Sequence, residues 1–128
     1  MKSFLPFLLV GCGGFVGSML RYLMTRLFQD FHSIPFGTLI SNLGGCFIIG
    51  IVTGLSVDIP VLSSESRLLL ATGLCGGFTT LSSLIYELAQ FFNEDEYLIG
   101  SFYLTGTLLG AALAFFIGTA LVKLFIRG

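Results

Sequence analysis

Apolar positions in this chain come in long blocks, and charged residues gather at the block ends. The blocks run from about Phe4 to Leu20, Ile34 to Val57, Leu68 to Tyr86 and Tyr97 to Val122. Each is close to the roughly 20 residues a helix needs to cross a bilayer. Lipid admits only helices or closed barrels, and unbroken apolar blocks lack the alternation of a barrel strand. The pattern predicts an all-α integral membrane protein, a single membrane domain over residues 1–128. Its four transmembrane helices fall at about 4–26, 34–57, 66–92 and 97–124, with both termini on one side.

The connectors are short. Arg26 to Pro35 contains Asp30 and His32; Asp58 to Arg67 contains Pro60 and a Ser63-Ser64-Glu65 helix-start signal; Asn93 to Glu96 is acidic. None has room for a soluble domain. His32 reads as a solvated loop residue and is given no role.

The third block departs from a plain membrane helix. Thr72 to Glu87, TGLCGGFTTLSSLIYE, carries three glycines, a run of hydroxyls and a carboxylate. Glycine loosens a helix, so Gly73, Gly76 and Gly77 are expected to break it and free backbone carbonyls. Irregular backbone at membrane depth is tolerated only where it is buried in protein or lines a cavity, and free carbonyls are hard ligands suited to a cation. Thr80, Ser83 and Glu87 follow along one helix face, and a carboxylate in a membrane span is a functional-site hypothesis by default.

Other spans add polar groups. Asn42 lies inside the second block and shares a face with Thr38 at i, i+4. Asn in hydrocarbon must be hydrogen-bonded: it either ties helices together or donates to an anion. Arg21 reads either as an interfacial anchor or as a cation at the mouth of an anion path. Tyr103 and Thr107, also at i, i+4, extend a polar lane or belong to the interfacial belt. The sum is a lane of hydroxyl and amide donors with almost no buried cation. Such a lane suits a small hard anion, whose tightly held water several short donors must replace.

Composition narrows the class. The 128 residues are 55% hydrophobic and 10% charged, against about 25% charged in soluble domains. A net charge of −1 gives no sign of a nucleic-acid partner. Cys12, Cys46 and Cys75 sit in apolar runs with no C-x-x-C pair and read as free buried thiols. Met1-Lys2 before an apolar run is a weak signal-peptide pattern, outweighed by the three blocks that follow. Lys2, Arg67, Lys123 and Arg127 on the terminal side face Arg21 and Arg26 on the other. That bias favours termini inside only slightly, and a chain inserting both ways would show the same. Gly13/Gly17, Gly50/Gly54, Gly73/Gly77 and Gly106/Gly110 have the small-xxx-small spacing of close helix contacts. They serve either packing within one chain or a seam between chains. So small a bundle encloses little interior alone, which points to an oligomer.

Three ordered motifs carry a resemblance over essentially the whole chain. They are G-G-x-x-G-x-x-x-R from Gly13 to Arg21, G-T-L-x-x-N-x-x-G-x-F-x-x-G from Gly37 to Gly50, and T-G-L-C-G-G-x-T-T-x-S-S-x-x-x-E from Thr72 to Glu87. In these the chain resembles the CrcB/Fluc family of small bacterial fluoride channels. The resemblance implies an antiparallel, dual-topology dimer in the bacterial inner membrane, passively exporting fluoride through two pores. It also implies a structural sodium ion at the dimer centre, held by the backbone carbonyls of Gly76 and Thr79. Asn42, Thr80, Ser83, Glu87, Tyr103, Thr107 and Arg21 match the family's anion pathway. Family channels carry two pore phenylalanines within T-F-S-T-F-S; here those positions are Leu81 and Leu84, and the serine after the second is Ile85. A further helix-four serine position reads Ala111. These departures raise an alternative, a weakly conducting partner subunit that pairs with a paralogue in a heterodimer. A proton-coupled small exporter using Glu87 is a more distant reading. No nucleophile–base pair, metal-ligand cluster or phosphate loop suggests an enzyme.

Overall fold

The computed structural model describes residues 3–29, 33–58 and 61–128. Met1, Lys2, Asp30, His32 and Pro60, read above from the sequence, lie outside the described residues. The helices are α1 (Leu5–Leu27), α2 (Phe36–Thr53), α3 (Ser64–Arg67), α4 (Gly76–Phe78), α5 (Leu81–Asn93) and α6 (Tyr97–Arg127). A π-helical turn, Gly54–Asp58, prolongs α2, and a π-helical stretch, Leu68–Cys75, joins α3 to α4. Four spans result, Leu5–Leu27, Phe36–Val57, Ser64–Asn93 and Tyr97–Arg127, each long and apolar enough to cross a membrane. The chain is a multi-pass membrane protein. The third span begins two residues before its expected start, and α6 runs on to Arg127. Ser63 accounts for the first difference: its Oγ accepts the Ser66 N–H at 3.1 Å and caps α3.

Glycine decides which spans touch. A methyl group at Gly13 would overlap the Leu69 carbonyl and lie 2.8 Å from Leu74 N; at Gly17 it would overlap the Leu74 carbonyl and lie 2.8 Å from Phe78 N. From the other side, Gly73 and Gly77 lie on Gly13 and Gly14. So α1 runs backbone to backbone along the first half of the third span. A second seam joins α2 to α6, where Gly50 meets Phe115 and Gly118 meets Phe47. Three of the four expected pairs therefore pack within the chain. In the fourth, Gly110 meets the Leu43 side chain and Gly106 has nothing within 4 Å.

The glycines expected to open the third span do not open it. Gly76 is helical at φ −61° and ψ −38°, and Gly73 lies within the π-helical stretch. The two extended residues are the threonines, Thr79 at φ −80°, ψ 156° and Thr80 at φ −152°, ψ 120°. Threonine is stiff at its β-branch and suits extended backbone. Beyond them α5 turns Leu84, Leu88 and Phe91 inward, where they form a small core with Tyr103. The Phe91 and Tyr103 rings lie 5.8 Å apart.

Candidate functional site

Asn42 projects from α2 onto the extended threonine pair. Its Oδ1 accepts the Thr80 N–H at 2.6 Å, and its Nδ2 donates to the Thr80 carbonyl at 3.1 Å. An N–H can only donate, so the amide's orientation is fixed by chemistry. Asn42 is buried, and one Nδ2 hydrogen remains beyond this clasp. The interhelical tie that the sequence allowed is present, and the side chain keeps a donor.

The clasp alters α4 and α5. In a continuous helix, Thr80 N–H would go to the Gly76 carbonyl and Ser83 N–H to the Thr79 carbonyl. Thr80 N–H goes instead to Asn42, and Ser83 N–H goes to Thr80 Oγ1 at 3.2 Å, capping α5. The carbonyls of Gly76 and Thr79 thus lose their helical donors. Gly76 stands on an open face with nothing within 4 Å of where a side chain would begin. Thr79 spends its hydroxyl on the Cys75 carbonyl at 2.8 Å.

Arg21 is engaged on backbone. Its Nε donates to the Gly77 carbonyl at 3.0 Å, tying α1 to the end of α4. A cation there complements the negative end of a helix and occupies a carbonyl left over by the extended pair.

A second polar group lies on the same face of α2, one turn toward the loops. Glu87 Oε1 accepts the Thr38 hydroxyl at 2.5 Å, and Oε2 accepts the Tyr103 hydroxyl at 2.6 Å. Three helices therefore meet on one carboxylate. Thr107 continues α6 inward, but its hydroxyl donates to the Tyr103 carbonyl at 2.7 Å. Thr38 belongs to this site; it stands in the second motif but was given no place in the anion pathway. Its i, i+4 spacing from Asn42 was the available signal. A cavity of about 500 Å³, lined by Thr25, Ser33, Thr38, Glu87, Gln90 and Glu94 among others, leads to Glu87 from the α1–α2 and α5–α6 connections.

The departed positions separate. Leu84 is buried in the core beside Tyr103, whereas Leu81 is 70% and Ile85 54% exposed. Ser82 and Ser101 are exposed as well. Part of the expected lane thus faces away from the single chain.

Fold and site together define a four-span membrane protein with a polar seam between α2, the extended threonines, α5 and α6. Residues 8–119 match the family described as CrcB-like protein, Camphor Resistance (CrcB), and the chain belongs to that family. A relative from Chlorobium phaeobacteroides (strain BS1), 45% identical over 97% of this chain and 98% of its own length, is named fluoride-specific ion channel FluC. Proteins of the same name from Chlorobaculum tepidum, 46% identical over 92% of this chain and 94% of their own, and from Leptospira interrogans, 38% identical over 92% and 94%, are also similar.

Proposed function

We propose that this chain is a subunit of a fluoride channel in a bacterial inner membrane, lowering cytoplasmic fluoride by passive flow. The observation that carries the reading is the Asn42–Thr80 clasp. It holds a buried amide donor beside hydroxyls at membrane depth, in a chain whose relatives are named for fluoride. Along the wall, the Thr38 and Tyr103 hydroxyls are donors already ordered by Glu87. A fluoride ion, a small strong acceptor, would take over these protons as the carboxylate gives them up. The cavity reaching Glu87 is its aqueous approach.

The Gly76 and Thr79 carbonyls fit a sodium ion, because each has lost its helical donor and Gly76 lies on an open face. Sodium there would supply positive charge between subunits and satisfy those oxygens. Leu81 is exposed too, and open Gly106 marks α6 as another place for close approach by a second copy in a lipid-embedded, antiparallel dimer.

One observation favours a second reading. Leu84 is fully absorbed into the subunit's own core and Leu81 offers no ring edge to an anion. The chain then conducts in company with a paralogue that supplies aromatic side chains. Fluoride efflux from liposomes containing this chain alone decides. Rapid fluoride-selective efflux supports the homodimer; no efflux alone, restored on adding the paralogue, supports the heterodimer. Failure in both settings would overturn the channel reading.

A further inference from the structure

Ser41 is fully buried, and its Oγ has no hydrogen-bond partner, the one such buried side-chain atom among the described residues. Elsewhere in the spans the same difficulty is solved locally. Thr53, Ser56, Thr79 and Thr107 each donate to the carbonyl four residues back, at 2.6 to 2.8 Å. Ser41 has the Gly37 carbonyl in that position and does not take it. A buried hydroxyl left unmatched is costly.

Its surroundings are set by the glycines on its face. One turn toward the loop, a methyl at Gly37 would lie 2.6 Å from Thr25 Cα. One turn deeper, Gly45 lies against the Thr79 side chain and Gly44 against the Phe78 ring. Ser41 therefore faces the junction of α1, α2 and the end of α4. The antiparallel register that pairs Gly37 with Thr25 brings Ser41 to the level of Arg21, one turn on in each helix. There Arg21 crosses to the Gly77 carbonyl through Nε, and a guanidinium has further N–H donors.

We propose that this junction binds one water-sized hydrogen-bond acceptor, a water molecule or a fluoride ion, held by the Ser41 hydroxyl at the level of Arg21. The tight contacts one turn above and below exclude anything larger. The site lies on the side of α2 facing α1. Its existence does not depend on conduction.

The sign of one substitution tests it. A dry orphan hydroxyl, or one turned back to Gly37, makes Ser41→Ala neutral or stabilising. A bound ligand makes Ser41→Ala lower the melting temperature of the detergent-solubilised protein by about 3 °C or more. Sodium fluoride and sodium chloride titrations separate the sources. A gap that widens with fluoride alone identifies fluoride; a constant gap identifies water. An unchanged or raised melting temperature overturns the proposal. Solvent density at Ser41 Oγ in a high-resolution crystal structure is a readout that does not need the variant to fold. A hydroxyl pointing at Gly37 with no density beside it overturns the proposal equally.

Discussion

The two halves of the third span use the membrane in opposite ways. From Leu69 to Phe78 the chain lies against α1 through glycine, and the contacts are backbone on backbone. From Leu81 to Asn93 it turns a core of Leu84, Leu88 and Phe91 inward and joins Thr38 and Tyr103 on Glu87. The first half has almost no freedom in side-chain size. The second is defined by donors and acceptors whose removal leaves the shape intact. Asn42, reaching from α2, is where the two regimes meet. In lipid, where apolar burial no longer drives helices together, close packing fixes the architecture and hydrogen bonds are left to define the path.

The sharpest way to break this contrast is at the glycine seam. Gly13→Val would drive a branched side chain into the Leu69 carbonyl and should cost about 3 kcal/mol. The expected outcome is loss of the monodisperse peak in size-exclusion chromatography. A normal elution profile would mean that the seam is slack. Next comes Asn42→Ala, which strands a part-buried N–H and a part-buried carbonyl of Thr80. Fluoride efflux from liposomes should fall about 100-fold, equivalent to about 3 kcal/mol, while the protein still elutes normally. Tyr103→Phe removes one of two donors to Glu87 and keeps the ring packed on Phe91. A loss of about tenfold in efflux with little change in melting temperature is expected, in line with a charged hydrogen bond of about 1.5 kcal/mol. The smallest effect belongs to Gly76→Ala. Within one subunit that site is open and its backbone ordinarily helical, so stability should stay within about 0.5 kcal/mol unless the proposed second copy covers it. A collapse there would show that the open face is more crowded than a single chain suggests.

The spans were legible because block hydrophobicity is a property of the sequence itself, and their bounds differ from expectation by a few residues. The Asn42, Glu87 and Tyr103 positions were legible too, since a polar residue in an apolar block is conspicuous. The glycines misled. A missing side chain permits either a flexible backbone or a close neighbour, and only the neighbour, here α1, tells which. Arg21 was ambiguous for the same reason: its partner, the Gly77 carbonyl, is 56 residues away. Thr38 needed Glu87 to give it meaning, and nothing local in the chain connects them. Ser41 was no more than an unremarked position between Thr38 and Asn42.

The wide turns at Leu68–Cys75 have a consequence for how the gene can change. A π-helical stretch holds surplus residue for its length and behaves as a one-residue insertion in an α-helix. Losing a single codon at residues 69–71 would let it tighten into ordinary helix. Gly73, Gly77 and Thr80 are pinned by α1 and Asn42, and the surplus residue in the stretch would let them stay so. A codon lost between 76 and 83 has no such reserve: it would turn everything beyond by about 100° and point Glu87 away from Thr38 and Tyr103. Within one span, length is negotiable on one side of the threonines and fixed on the other.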